Sequence, residues 1–441
     1  MTADVFPSLT VQLPLYNEPN VAARLIDAVA MLEYRGALDI QVLDDSNDDT
    51  IVIVAERVAY WSSRGVRIAH MRRSSRDGFK AGALAHGLQR SDAELFAIFD
   101  ADFVPPRDTL LRMVPYFADA NVGMVQARWT HLNRAESLLT RVQALFLDAN
   151  FAVESAARNF GGRFFNFNGT AGIWRRAAID DAGGWSSSTL TEDLDLSYRA
   201  QLAGWEFVFA HDVEVPAELP AALSGFQDQQ HRWAKGSLQT ARKLLRAIVA
   251  SDATRVTKTE AFFHLTNNAA YLLSVVLALL IVPAITLRYE HDLVWTFAID
   301  FVLFAMSSGS VLLFYREGQR FAGRAMPRVR ELLAVLPVGV GMSVRNAVAV
   351  IEGLLLRGGY FKRTPKAGSG AVGLGPPKPA GQAPPLHRLP VAELALAMFF
   401  SGALVAFAIA GRWLSLPFLS LFVSGYGYVA LLAVSERATA S

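Results

Sequence analysis

Residues 95–102 read Leu-Phe-Ala-Ile-Phe-Asp-Ala-Asp, five apolar side chains followed at once by two carboxylates one residue apart. A short, unbroken apolar run of this length suits a strand buried on both faces, as in a parallel sheet. Residues i and i+2 of an extended chain point the same way, so Asp100 and Asp102 can face one site just beyond the strand. Working outward, similar apolar runs occupy 9–15, 40–43, 66–71 and 122–127, and amphipathic helical stretches fill gaps such as 21–32 and 50–62. Strands alternating with helices predict an α/β domain with a mostly parallel, Rossmann-like sheet covered on both faces. A second acidic cluster, Asp44-Asp45-Ser46, follows the 40–43 run. Open α/β sheets bind ligands beyond the carboxyl ends of their strands, and both clusters fall there.

Apolar residues make up 52% of the 441 and charged residues 19%, a greasier balance than most soluble proteins have. The excess is concentrated late. We divide the chain into an α/β domain at 1–222, an amphipathic region at 223–260 and a membrane region at 261–441. The segments 264–287, 293–315, 391–410 and 413–434 are each long enough to cross a bilayer core. The joints 288–292 and 411–412 are short, so two helical hairpins are expected. The stretch 331–356 is apolar but interrupted by Pro337, Gly339, Gly341, Arg345, Asn346 and Glu352, and is expected to be re-entrant or interfacial. Five arginines lie in 316–330 and six Lys or Arg residues in 357–390, against one in each short joint. Positive loops stay inside, which places the α/β domain in the cytosol beneath a multi-pass cell membrane anchor. Residues 1–8 are too short and polar for a secretory leader, in keeping with that placement. A net charge of +2 offers no reason to expect a nucleic-acid partner, and the absence of cysteine excludes disulfides and thiolate metal sites.

Carboxylate oxygens at two strand ends suit a hard divalent cation, Mg²⁺ or Mn²⁺. The run Thr191-Glu192-Asp193-Leu194-Asp195 supplies three further carboxylates. On a helix Glu192 and Asp195 share a face and Asp193 points elsewhere, so any of the three could serve as a general base. An acidic helix start or capping box would produce the same pattern. Gln229-Gln230-His231-Arg232-Trp233 opens a helix in which Ala241, Leu244, Leu245 and Ile248 recur at spacings of three and four. That face suits a helix lying on a membrane, or one packed on the α/β domain. The Trp233 ring can stack on a sugar, while Gln229 and Arg232 can hydrogen-bond hydroxyls or phosphate.

Taken in order, Asp44–Ser46 (DDS), Asp100–Asp102 (DAD), Thr191–Asp193 (TED) and Gln229–Trp233 (QQHRW) resemble the D, DxD, TED and QxxRW signatures of the processive family 2 inverting glycosyltransferases. That family includes cellulose synthases, hyaluronan synthases and the mannan-synthase-like branch. PLYNE at 14–18, FKAGAL at 79–84, NGTAGIWRR at 168–176 and FKRTPK at 361–366 are similar to further segments of it, the last to its gating loop. The resemblance implies a GT-A glycosyltransferase domain followed by transmembrane helices. It implies that Asp44 or Asp45 holds the uridine with Glu18 nearby, that Lys80 meets the diphosphate, and that Asp102, helped by Asp100, binds the metal. Asp193 would be the base acting on the acceptor. Gln229, Arg232 and Trp233, with Glu192, would form the acceptor platform, and Thr364, Arg363 and Lys366 would clamp the diphosphate. The expected reaction is polymerisation of a nucleotide-diphosphate sugar into a β-linked glucan or mannan moved across the membrane. UDP-glucose is the first expectation for the donor and GDP-mannose the alternative, and membrane lipids surround the helices. A glycolipid synthase acting on ceramide or diacylglycerol is the second reading.

Overall fold

The structure, a computed structural model, describes residues 6–356, 368 and 390–440. The α/β part runs β1 (Leu9–Leu15), α1 (Ala22–Ala30), β2 (Leu38–Asp44), α2 (Thr50–Ser62), β3 (Ile68–Met71), α3 (Phe79–Leu88), β4 (Leu95–Ile98), α4 (Thr109–Met113) and β5 (Val122–His131). It continues with α5 (Leu138–Ala149), α6 (Ala156–Phe160), β6 (Gly172–Arg175), α7 (Arg176–Asp181), α8 (Glu192–Leu202) and β7 (Glu206–Ala217). The helical part is α9 (Leu223–Ala250), α10 (Arg255–Thr266), α11 (Ala269–Glu290), α12 (Phe297–Phe321), α13 (Val329–Leu355), α14 (Val391–Ile409) and α15 (Leu416–Ala440).

One seven-stranded sheet has the order β3-β2-β1-β4-β6-β5-β7. All pairings are parallel except those of β6, which runs antiparallel to β4 and β5. Pairing Leu15 with Asp44 brings the ends of β1 and β2 level, and pairing Gln12 with Ile98 sets the end of β4 beside them. Three acidic or polar strand exits therefore share one edge. The runs are apolar because both faces are covered: Leu9, Val11, Leu13, Phe96 and Ile98 are wholly buried. The sequence reading found β1 to β5 but not β6 or β7. β6 has only four residues, and β7 (EFVFAHDVEVPA) mixes charges into its run as an edge strand.

Among the described residues five helices are long and apolar enough to cross a membrane: Ala269–Glu290, Val294–Phe321, Val329–Leu355, Val391–Ile409 and Trp413–Ala438. The first begins later than expected, because 264–266 complete α10. The stretch expected to be re-entrant or interfacial forms one continuous helix, α13, that contains Pro337. Its polar residues have protein partners. Glu331 pairs with Arg141 of α5 at 3.2 Å, Arg345 with Asp228 of α9 at 3.3 Å, and Glu352 with Lys235 of α9 at 2.9 Å. Half of the apolar stretch of α13 is buried in protein, whereas that of α11 and α12 is mostly half-buried or exposed.

The aliphatic face of α9 corrects an expectation. Ala241, Leu244 and Ile248 pack with Leu194 and Tyr198 of α8 and with Ala261 and Leu265 of α10, so this face is closed by protein and not by lipid. Helical periodicity marks an apolar face without saying what covers it.

The helical part is tied to the α/β part through Asp148 of α5, which is nearly fully buried. It accepts from Gln319 of α12 at 2.9 Å, pairs with Arg134 and lies 3.5 Å from His131. Burial opposes its charge, but His131 and Arg134 outweigh that and hold the carboxyl well below the usual range. Asp148→Ala removes the carboxylate that pairs with Arg134 and accepts from Gln319, leaving those two only their bond to each other, and is expected to cost ~3–5 kcal/mol, read as a lower unfolding temperature of the solubilised protein. Asp148→Asn, which keeps an acceptor oxygen, should cost less.

Candidate active site

The exits of β1 and β2 are stitched together. Asn17, at φ +55°, donates its amide to Ser46 Oγ at 2.8 Å. Its side chain exchanges hydrogen bonds with Asn47, at 2.8 Å to the Asn47 oxygen and 3.0 Å from the Asn47 amide. This presents Tyr16, Glu18 and Asp45 to a cleft. Asp45 accepts from Arg73 Nε at 3.0 Å and from a second guanidinium nitrogen. Arg73 also donates to the carbonyls of Asp77 at 2.8 Å and Phe79 at 3.0 Å, ordering the turn that starts α3. Asp44 goes elsewhere. It is buried, accepts from its own Ser46 amide at 2.9 Å and lies 2.8 Å from His70. It does not line the cleft, so of the pair expected to hold a nucleoside only Asp45 is in position.

Lys80, the second residue of α3, bridges two segments. Its Nζ donates to Asp100 at 2.5 Å and to the carbonyl of Gly169 at 2.8 Å. The Asp100 amide donates in turn to Thr170 Oγ1 at 2.8 Å, so β4 and the loop before β6 are registered through one lysine. Burial works against the ammonium, yet Asp100, Glu192 and Asp193 raise its pKa above the ordinary value. Asp100 itself is pushed up, first by burial and then by Asp102, with Lys80 opposing.

The first turn of α8 faces this lysine. Asp193 is pushed up to about 7, chiefly by burial and then by the charge on Glu192. Glu192 is raised too, by burial. Asp193 Oδ1 accepts the Leu194 amide at 2.8 Å. Its Oδ2 lies over Gly169, where a Cβ would come within 2.8 Å of that oxygen and 3.6 Å of Lys80 Nζ. Asp195 is removed from the competition. It is fully buried and paired with Arg199 at 2.8 Å and Lys243 at 2.7 Å, away from the cleft. Helix α9 braces the turn from behind, where Gln239 accepts the Leu190 amide at 2.9 Å. Its N-terminal half sends Gln229, Arg232 and Trp233 to the same cleft. Burial lowers the pKa of Arg232, with Glu192, Asp100 and Asp193 pulling the other way.

One cavity is therefore lined by Glu18, Asp45, Lys80, Asp100, Asp102, Glu192, Asp193, Gln229, Arg232 and Trp233. Thr364, Arg363 and Lys366, the segment similar to a gating loop, lie outside the described residues. Sequence reading passed over Tyr16, Arg76 and Glu218. The Arg76 guanidinium sits 3.3 Å from the Tyr16 ring centre at the cleft, a cation–π contact with no sequence spacing to announce it. Glu218 pairs with Arg24 at 3.0 Å and donates its amide to the Asp102 carbonyl at 3.1 Å.

Among the described residues no three His, Asp or Glu side chains close into a metal cage. Asp100 and Asp102 nevertheless offer hard oxygen donors on the cleft. One or two carboxylates completed by substrate phosphates is the ordinary way Mg²⁺ is held, and the residues fit a cation of that kind.

The family model described as "Glycosyltransferase like family 2" matches residues 7–236. The chain is 43% identical over 288 residues to "Probable glucomannan 4-beta-mannosyltransferase 7" of Oryza sativa subsp. japonica, over 63% of this chain and 49% of the relative. It is 44% identical over 259 residues to "Glucomannan 4-beta-mannosyltransferase 2" of Arabidopsis thaliana, over 57% of this chain and 48% of the relative. The chain thus spans about half the length of these relatives. In structure it is similar to a mannosyltransferase from Pyrobaculum calidifontis in complex with GDP-Man and Mn²⁺, at TM-score 0.49 and 19% identity. That match covers 80% of this chain and 88% of the other, and is too remote to carry an argument.

Gly169 stands at φ +83° with Asp193 against it. Gly169→Ala is expected to cost ~1–2 kcal/mol for the left-handed backbone alone. It should also dislodge the Asp193 carboxylate, read as a lower unfolding temperature together with a weakened acid limb assignable to Asp193 by titration.

Proposed function

The chain belongs to glycosyltransferase family 2, its α/β domain being the GT-A fold, and from that premise we propose that it is a membrane-integrated inverting synthase lengthening a β-linked mannan chain from GDP-mannose. The observation that carries the reading is the single cavity shared by donor-side, catalytic and acceptor-side residues. The relatives are named as mannosyltransferases, which puts GDP-mannose ahead of UDP-glucose.

In this reading the nucleoside lies along Tyr16, Glu18 and Asp45, and Lys80 meets the diphosphate. Asp100 and Asp102 hold Mg²⁺ or Mn²⁺, which when bound neutralises charge on the departing diphosphate. The acceptor hydroxyl approaches between Trp233, whose ring offers a stacking face, and Asp193. Oδ2 of Asp193 takes the hydroxyl proton while Oδ1 stays anchored on the Leu194 amide. The hydroxyl oxygen then displaces the diphosphate from the opposite face of the sugar, inverting the anomeric carbon. Arg232 and Gln229 orient the chain end, and Glu192 keeps the base's proton affinity high. The α/β domain sits on the cytosolic side of the cell membrane, where the arginines of 316–330 also belong. The product leaves across the helical region.

Membranes holding the protein, given labelled GDP-mannose and Mn²⁺, are expected to form a water-insoluble polymer cleaved by an endo-β-mannanase. A chloroform-soluble product would convert the reading to a glycolipid synthase, and preferential use of UDP-glucose would overturn the donor assignment. Asp193→Asn should reduce transfer about 10²–10⁴-fold with nucleotide affinity retained, because the base acts on the acceptor. The active form is the deprotonated carboxylate, so wild-type kcat/KM should be half-maximal near pH 7, approach its full value about a unit above and fall towards tenfold per unit below, a limb absent from the variant. Loss of nucleotide binding in Asp193→Asn would count against the assignment.

A further inference from the structure

The segment from α5 through the π-helical stretch Asn150–Ser155 into α6 is fastened to α12 at its start and to α10 at its end. At its start, Gly318 of α12 lies so close to Ala149 that a Cβ there would stand 2.7 Å from the Ala149 Cα, and the rings of Phe146 and Tyr315 are 5.3 Å apart. At its end, Glu260 of α10 pairs with Arg158 at 3.2 Å and Arg163 at 3.5 Å, on either side of Phe160. Helix α10 ends at Thr266 and α11 begins at Ala269, so Glu260 is only two turns from a spanning helix.

Phe160 is 78% exposed, and Phe262 and Phe263 are 48% and 63% exposed. Val256, Glu260 and Phe263 stand four and three residues apart and share one face of α10. The Glu260 ion pairs therefore tie the segment that bears Phe160 to α10. Helix α11 starts three residues after α10 ends, and its Leu273 and Leu280 are 67% and 59% exposed. Exposed apolar surface of this kind, contiguous with a spanning helix, has one solvent that suits all of it.

We propose that Phe160, Phe262 and Phe263 rest at the headgroup–acyl boundary of the bilayer, so that the catalytic domain docks on lipid through its α5–α6 segment as well as through α11 and α12. The occupant is a lipid surface; a second copy of the chain or a soluble partner would cover Phe160 without covering α11. Arg158 and Arg163, neutralised by Glu154 and Glu260, hold the loop bearing Phe160 at that depth. The dock fixes the height of the cleft above the membrane by a contact separate from the spanning helices.

The chain contains no cysteine, so a single introduced thiol is a unique labelling site. Phe160→Cys and Phe263→Cys, labelled with an environment-sensitive fluorophore in nanodiscs, are compared with Val52→Cys on α2, 59% exposed, and Leu279→Cys on α11, 62% exposed. Labels at 160 and 263 are expected to be quenched by doxyl lipids, to emit at shorter wavelength than the label at 52, and to lose quenching by iodide. Leu279 should respond to doxyl lipid alone and Val52 to iodide alone. Iodide quenching at 160 equal to that at 52 overturns the proposal, and protection from both quenchers overturns it in favour of a protein partner. Absence of lipid quenching at 279 overturns it through its premise, that α11 lies in the bilayer.

Discussion

Lys80 is the group on which the cleft depends. Asp100, Asp102, Glu192 and Asp193 converge from two distant stretches of chain, and like charges brought together out of water repel strongly. The ammonium donates to Asp100 and to the Gly169 carbonyl, and so joins the exit of β4 to the loop before β6. Without a cation at that point the four carboxylates could not all remain charged in one cavity. Four carboxylates facing Lys80 and Arg232 leave an excess of negative charge, and burial first, with the neighbouring acids after it, raises the pKa values of Asp100, Glu192 and Asp193. That excess is what a divalent cation arriving with a diphosphate would relieve.

The same economy of contact joins catalysis to the helical region. Helix α9 is the shared member: its first half faces the cleft, its middle braces the turn before α8, and its flank pairs with α13 through Lys235 and Asp228. A displacement of α13 would therefore be felt at Trp233 and Asp193. A second tie runs from Asp148 to Gln319, and buried polar links of this sort fix register because leaving either partner unpaired is costly. The α/β domain is thus wedged against the helices at α5, α9 and α10, instead of hanging from a flexible tether.

Some of this was legible in the order of residues. Apolar runs ending in carboxylates marked the strand exits, and β1 was bounded correctly because both of its faces are buried and its ends meet polar turns. The run at 191–195 could not be resolved by helical spacing, since Glu192 and Asp195 share a face and Asp193 does not. Family resemblance favoured Asp193, and packing narrows the three to Glu192 and Asp193, because Arg199 and Lys243 consume Asp195. Asp44 and Asp45 pose the same problem. Adjacent strand residues point to opposite faces, and only the partners His70 and Arg73 tell which carboxylate reaches the cleft.

What the sequence determined by itself is the class of the protein: a parallel α/β domain with acids at its strand ends, followed by helices apolar enough for a bilayer. Those features rest on local periodicity, which neighbouring residues specify without help. Tertiary structure alone decided which face of α9 meets protein, where β6 and β7 join the sheet, that α13 runs unbroken, and which acids share Lys80. Each of these depends on partners dozens to hundreds of residues away, and hydrophobic period or charge type is silent about who those partners are.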